Sequence, residues 1–399
     1  MNHETLAYLQ STDGQALLAE LAARNLTEAG QLRELTRLRR HYPAEVARAA
    51  VEQTLLRQRA RAKFPQAEQM FFTREALEQA SSAAVAAHRA RRFADYAHVA
   101  DLGCGIGGDA LALAAAGRQV TAVDRDEVRL ALARANAAAL GLAAQMTFIQ
   151  ADLLVDPPPP ADALFCDPGR RSGGRRRFRV EQYEPPLAHV LGWRAQIPAL
   201  AVKLAPGVDL AELAALDDCE VEFVSLNGEL KEAVLWSGPP ATTTRRATLL
   251  RSATDAAGAV TSATLTAEPT HSPTPLSPPD ALLYEPDPAV LRAGLVGTLA
   301  AHLGAAQLDP DIAYLTAPEL QPTPFARAWR ILEWLPFNLK RLRARLRTLD
   351  AGPVTVKKRG SPLDTDALAK QLSGLGACPL VVVLTRVEGR PAALICTNL

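Results

Sequence analysis

The chain has few cysteines for its length, and they lie far apart. Its 399 residues include five cysteines, and no two of them form a C-x-x-C pair. A disulfide framework or a cysteine-based zinc site is therefore not expected, and no metal site is predicted. Cys104 and Cys166 are interpreted as small buried side chains rather than nucleophiles.

Long hydrophobic runs are also missing. No stretch of about 18 uncharged apolar residues occurs, so no membrane span is expected. The first residues, which include His3, Glu4 and Asp13, do not have the pattern of a signal peptide. Together with the few, widely separated cysteines, these features favour a location in the reducing cytoplasm. Hydrophobic residues at 48% and charged residues at 22% indicate a globular protein with two or three domains.

A large excess of one charge is absent as well, because the net charge is only +1. This balance argues against a uniformly basic nucleic-acid binder, but two segments are strongly basic. Residues 170–179 hold six arginines and no acid, and residues 325–360 hold ten Lys and Arg against Glu333 and Asp350.

The most informative segment that is present runs from Val99 to Gly108. Its pattern predicts an apolar strand that ends on Asp101, then a glycine-rich loop, and then a helix over 109–116. Glycine lets the backbone approach a nucleotide-like ligand closely, because it has no Cβ. The same glycine spacing also occurs in dinucleotide-binding folds, so the loop alone does not identify the ligand.

Four predicted strands in succession carry an aspartate at or just after their ends. The strands are 99–102, 119–123, 146–150 and 163–166, and the aspartates are Asp101, Asp124, Asp152 and Asp167. Because open α/β sheets bind ligands at the carboxyl ends of their strands, we expect these acids to lie at one edge. With the glycine loop, the series resembles the class I S-adenosylmethionine-dependent methyltransferases over roughly residues 99–236.

The segments that follow agree with this resemblance. A fifth strand is predicted over 200–204, and strands over 220–224 and 230–236 flank Asn227-Gly228, a dipeptide favoured in tight hairpins. The resemblance implies an α/β, Rossmann-like, seven-stranded sheet with a closing antiparallel hairpin. A nicotinamide-binding domain would instead continue with parallel units, so the dehydrogenase alternative is disfavoured.

The chain is divided into four parts. These are a helical N-terminal region (1–95), the methyltransferase domain (96–268), a Pro-rich linker (269–281) and a small α+β domain (282–399) that resembles a THUMP-like domain. In the first part, helices are predicted over 15–24, 28–41, 44–62 and 74–92, with Thr73 as an N-cap. Segments 63–64, 71–73 and 88–89 are similar to the lead-in of trimethylguanosine synthase-type methyltransferases, although a simple helical cap explains them equally well.

In the last part, a helix is predicted over 289–303 and a basic helix over 324–349 with a break at Pro336. A strand over 354–357, a helix over 364–372 and a hairpin of 380–384 with 392–395 follow.

The resemblance implies S-adenosylmethionine as the cofactor and assigns its contacts. Asp101 and three glycines of the loop, Gly103, Gly105 and Gly107, would surround the methionine portion. Asp124 would bind the ribose, and Asp152 would lie near the adenine amine. The alternative for Asp124 is a helix N-cap.

Asp167 and Pro168 stand where base amino-methyltransferases of this class hold the reacting amine. In those enzymes the acid or amide is followed by two prolines and an aromatic, whereas Gly169 and Arg170 follow here. Asp167 is therefore predicted to orient a substrate amine, and the alternatives are a loop-capping carboxylate or a partner of Arg170 or Arg171. His88 and His189 are interpreted as helix-surface residues, and Glu229 and Glu232 as partners of arginines.

Basic and aromatic side chains suggest RNA as the substrate. Guanidinium groups match phosphate oxygens, and single-stranded bases stack on aromatic rings. The predicted RNA contacts are Arg170, Arg171, Arg175, Arg176, Arg177, Phe178, Lys357, Lys358 and Arg359. A solvated loop and an exposed turn are the alternatives for the two basic groups, and Phe178 and Tyr183 are equally consistent with core positions.

The sequence thus predicts an S-adenosylmethionine-dependent methyltransferase that transfers a methyl group to a base nitrogen of RNA by in-line displacement. Two alternatives remain: methylation of a protein or small molecule, and an inactive module that binds cofactor and RNA. The sequence does not define an oligomeric state.

Overall fold

The computed structural model describes residues 1–24, 26–169, 171–172, 175–176, 179–252, 259–267 and 274–399, with backbone only for 171–172 and 175–176. The chain divides into two units. The first unit comprises Met1–Glu220 and Glu232–Thr242, and the second comprises Val221–Lys231 and Thr243–Leu399.

Six helices open the first unit. They are α1 (His3–Gln10), α2 (Thr12–Ala23), α3 (Gln31–Leu38), α4 (Ala44–Ala60), α5 (Arg74–Gln79) and α6 (Ala83–Arg92). The predicted single helix over 74–92 is wrong, because the backbone is extended at Ala80 and Ser82. The Thr73 cap is confirmed, since its Oγ1 accepts a hydrogen bond from the Ala76 N–H at 3.2 Å. α1 was not predicted.

Nine strands and three helices follow among the described residues up to Ser237. The elements are β1 (His98–Leu102), α7 (Gly108–Ala115), β2 (Gln119–Asp124), α8 (Glu127–Ala139), β3 (Met146–Gln150), β4 (Ala163–Cys166), β5 (Arg171–Ser172), β6 (Arg175–Arg176), α9 (Leu187–Gly192), β7 (Leu200–Leu204), β8 (Cys219–Leu226) and β9 (Glu229–Ser237). Short 3₁₀ turns occur at Ala143–Gln145, Val180–Gln182, Trp193–Ala195 and Leu210–Leu213.

The main sheet of the first unit has the order β9-β7-β4-β1-β2-β3. All neighbours are parallel except β9, which runs antiparallel to β7. β1, β4 and β7 are almost completely buried, as expected for parallel strands with both faces covered. This order brings the ends of β1, β2 and β4 to the same edge, which confirms the α/β class.

The second unit continues with β10 (Arg245–Ser252) and β11 (Val260–Thr266). β10 pairs with β8 in parallel and with β11 in antiparallel fashion. The remaining elements are β12 (Leu282–Pro286), α10 (Pro288–Ala293), α11 (Val296–Leu303), β13 (Ala306–Asp309), β14 (Ile312–Ala317), β15 (Ala326–Pro336), α12 (Leu339–Thr348), β16 (Ala351–Lys358), α13 (Thr365–Leu372), β17 (Cys378–Val387) and β18 (Arg390–Asn398).

Two helix predictions in this unit are wrong. The helix over 289–303 is two helices, because Gly294 adopts a left-handed conformation with φ 72°. The first part of the predicted basic helix, β15, is an eleven-residue strand with alternating burial. Pairing with β12 and β18 on both sides satisfies its backbone, so tertiary contacts override the helical pattern.

Seven strands form a second sheet in the order β13-β14-β12-β15-β18-β17-β16. One core packs α12 and α13 against β16, β17 and β18. A second core holds Tyr314 and Trp329, both fully buried. In the described part of the chain, no helix is long and apolar enough to cross a membrane.

Candidate active site at the ends of the parallel strands

Backbone hydrogen bonds fix the glycine loop between β1 and α7. The N–H groups of Gly103 and Cys104 donate to the Val123 carbonyl at 2.8 and 2.9 Å, and the Gly107 N–H donates to the Cys104 carbonyl at 2.9 Å. The Gly105 N–H donates to Oδ2 of Asp124 at 2.8 Å. The loop is therefore tied to the end of β2.

The glycines of this loop are needed for two different reasons. Gly103, Gly105 and Gly107 all have positive φ, at 86°, 56° and 85°. A Cβ on Gly103 would lie 2.7 Å from the Asp167 carbonyl oxygen, so this glycine lets two strand ends approach each other. A Cβ on Gly105 would meet no described heavy atom within 4 Å. The space beside Gly105 is open to a ligand.

Asp124 is a buried carboxylate that organises the loop. Its Oδ2 accepts from Gly105 and its Oδ1 accepts the Asp126 N–H at 2.9 Å. The N-cap of α8 is Asp126, whose carboxylate accepts from Val128 and Arg129. The N-cap alternative for Asp124 is therefore wrong. Each of its oxygens retains a lone pair for a further donor.

Asp152 lies on the turn after β3. Its Oδ1 accepts the Leu154 N–H at 3.0 Å, and its own N–H donates to Oδ2 of Asp156 at 2.9 Å. The residue is half-buried, so its carboxylate can accept from a ligand at the same strand edge.

Asp101 is a buried carboxyl group whose burial is offset only in part, by the nearby charge of Arg89. It is 1% exposed, and neither carboxylate oxygen has a hydrogen-bond partner among the described residues. Burial raises the pKa of Asp101 well above its usual value, and the nearby charges of Asp109 and Asp167 raise it further. A cationic ligand group beside Asp101 would stabilise its ionised form.

Asp167 is joined to the end of β1 by its backbone and to β7 by its side chain. Its N–H donates to the Leu102 carbonyl at 3.0 Å, and its Oδ2 accepts from Lys203 Nζ at 2.7 Å. The Asp167 side chain is 25% exposed, whereas Lys203 is 5% exposed. The described partner is thus a lysine that the sequence reasoning missed. Pro168 is buried.

A second buried cation lies near this pair. The Arg89 guanidinium binds both Asp109 and Glu232, and it lies over the Phe165 ring at 5.0 Å. Burial raises the pKa of Glu232, while Arg89 and Lys203 oppose that shift. The predicted arginine partner of Glu232 is confirmed.

Three other sequence predictions have mixed outcomes. Glu229 pairs with Lys231 at 2.6 Å rather than with an arginine. His88 is buried at 8% exposure, so the surface interpretation is wrong for it and correct for the exposed His189. Tyr183 belongs to the core, where its hydroxyl accepts the Ala205 N–H at 3.1 Å.

The cysteines behave as expected. Cys104 and Cys166 are buried, and burial raises the pKa of both thiols well above the usual value. Neither residue is suited to form a thiolate nucleophile. In the described part of the chain, no cluster of His, Cys, Asp and Glu is arranged to hold a metal ion.

The predicted RNA contacts fall into two groups. Arg170, Arg177, Phe178 and the side chains of Arg171, Arg175 and Arg176 lie outside the described residues. In the second unit, Lys357 binds Glu285 at 2.5 Å, and Arg359 approaches the same carboxylate at 3.8 Å. Lys358 is exposed and donates to the Leu363 carbonyl at 2.7 Å.

These residues fit S-adenosylmethionine. The open face of Gly105 leaves space for it, Asp124 has acceptor capacity for ribose hydroxyls, and the unpaired Asp101 carboxyl suits a positively charged group. The fold and this site define the class of an S-adenosylmethionine-dependent methyltransferase.

Comparisons with known proteins agree with that class. A family model described as a methyltransferase domain matches residues 99–167, and one described as THUMP domain-like matches residues 326–398. A model of a domain of unknown function matches residues 2–60. The chain is 41% identical over 347 residues to the S-adenosylmethionine-dependent methyltransferase Rv3037c of Mycobacterium tuberculosis strain H37Rv, covering 84% of this chain and 92% of that protein.

The same values hold for MT3122 of M. tuberculosis strain CDC 1551. The chain belongs to the family of these S-adenosylmethionine-dependent methyltransferases. A crystal structure of a protein assigned as a methyltransferase from Porphyromonas gingivalis W83 has the same fold, with a TM-score of 0.68 at 21% identity. That alignment covers 94% of this chain and 99% of the other.

The open face of Gly105 gives a prediction about cofactor binding. Gly105→Ala should weaken S-adenosylmethionine binding at least ~10-fold, because the added methyl group occupies the ligand's space. Gly141→Ala is the matched control, since Gly141 also has positive φ and an open Cβ position. Each variant should lose about 1 kcal/mol of stability from backbone strain. Calorimetric titration and thermal melts check this, and equal affinities of the two variants would contradict it.

Proposed function

We propose that this methyltransferase modifies RNA at a base nitrogen, with the reacting amine held by Asp167 and Pro168. The observation that carries the proposal is the position of the Asp167 carboxylate. It follows β4, its backbone N–H donates to Leu102 at the end of β1, and its side chain is partly exposed, while one of its oxygens is fixed by Lys203. A carboxylate so placed accepts a hydrogen bond from an amine N–H.

The cofactor, when bound, supplies a methyl carbon attached to a positively charged sulfur. In the proposed assignment, Asp101 with Gly103, Gly105 and Gly107 holds its methionine portion, Asp124 binds the ribose, and Asp152 lies near the adenine amine. Asp167 aligns the nucleophile and stabilises the positive charge that develops on nitrogen. Catalysis then consists mainly of positioning and removal of water.

The second unit supports RNA as the substrate through its exposed cations. Lys340, Arg341 and Arg347 on α12 are exposed, and no described carboxylate pairs with them. By contrast, Arg345 pairs with Glu333 at 2.6 Å. Unpaired cations on one helix release counterions when they bind phosphates, which is the main source of nucleic-acid affinity.

The proposal includes a domain layout. Residues 1–95 form the helical region, 96–268 the methyltransferase domain with a seven-stranded sheet closed by the strands around Asn227-Gly228, 269–281 the linker and 282–399 the THUMP-like domain. The proposal further includes the similarity of the lead-in helices to trimethylguanosine synthase-type enzymes, a bacterial origin and a cytoplasmic location. The antiparallel pairing of β9 with β7 supports the closing hairpin.

The test is incubation of the purified protein with methyl-labelled S-adenosylmethionine and total RNA from a strain lacking the gene. We expect label in RNA, and nucleoside analysis should find it on a base nitrogen. Label on the ribose 2′-oxygen would overturn the base assignment, and label only in protein or small molecules would overturn RNA as the substrate. Cofactor and RNA binding without transfer to any fraction would indicate an inactive binding module.

A further inference from the structure

Lys203 is a buried cation at the reacting edge of the sheet. β4 and β7 are parallel, and Cys166 is in register with Val202. Asp167 and Lys203 each follow one residue later, so the register sets them side by side. The result is the 2.7 Å contact between Lys203 Nζ and Asp167 Oδ2, with the lysine side chain 5% exposed.

Among the described residues around the site, Lys203 is the cation that contacts the Asp167 carboxylate. Four carboxyl groups lie in this region: Asp101, Asp109, Asp167 and Glu232. The other buried cation, Arg89, is engaged by Asp109 and Glu232. Without Lys203, no described cation would contact the Asp167 carboxylate.

Stability does not explain this arrangement well. Burying an ion pair costs desolvation, and replacing such a pair by apolar side chains of similar volume is often neutral or stabilising. An ion pair at the carboxyl ends of the strands, beside the glycine loop, is instead placed to act on a ligand.

We propose that Lys203 is a positioning residue for methyl transfer. It fixes Oδ2 of Asp167, so that Oδ1 is the acceptor offered to the nucleophile. A carboxylate held in this way only accepts hydrogen bonds, so it serves a nucleophile that carries a donor hydrogen, such as an exocyclic amine. This inference rests on the proposed role of Asp167 in orienting an amine.

Methyl transfer forms one bond and breaks another. The nitrogen lone pair forms a bond to the methyl carbon as the carbon–sulfur bond breaks and its electron pair stays on sulfur. The nitrogen becomes positively charged while it donates its N–H to Asp167 Oδ1, and the proton then leaves to water. Lys203 makes no bond to substrate.

The experiment compares Lys203→Met and Lys203→Arg with wild type in the full-length protein. The substrate is whichever cell fraction the wild type labels. Lys203→Met should lower kcat about 100-fold, as expected for loss of alignment, with KM and cofactor Kd within about threefold of wild type. Lys203→Arg keeps the charge and should retain activity within about tenfold. Lys231→Met is the matched control, because it removes an exposed lysine–carboxylate contact of 2.6 Å.

Several outcomes would overturn the inference. It fails if Lys203→Met keeps turnover within threefold of wild type, or if Lys203→Arg loses as much activity as Lys203→Met. If the methionine variant does not fold, Lys203→Gln takes its place, and its loss of kcat should lie between that of Lys203→Arg and the ~100-fold loss expected for Lys203→Met. Label in protein or small molecules instead of RNA would overturn the proposed substrate while still testing Lys203 on that fraction. A wild type that labels no fraction would overturn both.

Discussion

We expect Asp167→Asn to lower turnover about 1000-fold and to leave cofactor affinity within threefold of wild type. Removing one preorganised hydrogen-bonding group that stabilises developing charge typically costs about 10²- to 10³-fold in rate. Asparagine keeps the shape but loses the charge that faces Lys203 and the developing positive charge on the substrate nitrogen. Single-turnover kinetics with labelled cofactor, alongside a calorimetric cofactor titration, measures the two effects separately.

Asp209→Asn is the control for this change. Asp209 is exposed in the same unit, where it caps a 3₁₀ turn by accepting the Ala211 N–H at 2.9 Å. It should leave both kinetics and binding unchanged. An Asp167→Asn enzyme with full turnover would remove Asp167 from the catalytic assignment, and a parallel loss of cofactor affinity would make it a cofactor residue instead.

The second large effect concerns Arg89. We expect Arg89→Met to lower the free energy of unfolding of the first unit by about 3–5 kcal/mol, because removal of one partner leaves uncompensated buried charge. Arg89 is 2% exposed and serves two carboxylates, Asp109 and Glu232, which would then lie buried without it. Urea unfolding measures the free energy of unfolding. Hydrogen exchange in α6, α7 and β9 then shows where in the unit the stability is lost.

Arg345→Met serves as the comparison. Its guanidinium pairs with Glu333 at 2.6 Å, but the arginine side chain is 46% exposed, so water screens the pair and its removal should barely change the free energy of unfolding. Equal stabilities of the Arg89 and Arg345 variants would show that the buried network around Arg89 does not stabilise the first unit.

The strand–loop–helix units could be predicted from the sequence because their signals are local. An apolar strand, a positive-φ glycine and a following helix are all encoded within about fifteen residues, as in the segment from Val99 to Ala115. The same local rules place Asp101, Asp124 and Asp167 at strand ends, and strands ending at one edge of a parallel sheet bring them together. The Thr73 N-cap could be predicted for the same reason.

Local rules failed where long-range pairing decides the conformation. Residues 326–336 alternate in burial between two partner strands, yet their basic character and Leu content resembled a helix. Hydrogen bonds to β12 and β18, which are far away in sequence, determine the strand. The extended backbone at Ala80 likewise divides a helix that the sequence spacing predicts as continuous.

The sequence by itself determined the glycine loop, the acids at the strand ends and hence the class of cofactor. Only the tertiary structure decided which charges meet. Arg89 binds Glu232 across 143 residues, and Lys203 reaches Asp167 across 36. The sequence separation of the paired residues predicts neither contact, because strand order and register create both. Burial makes the loss of either pair costly in free energy, since a charge removed from water needs a partner within the fold.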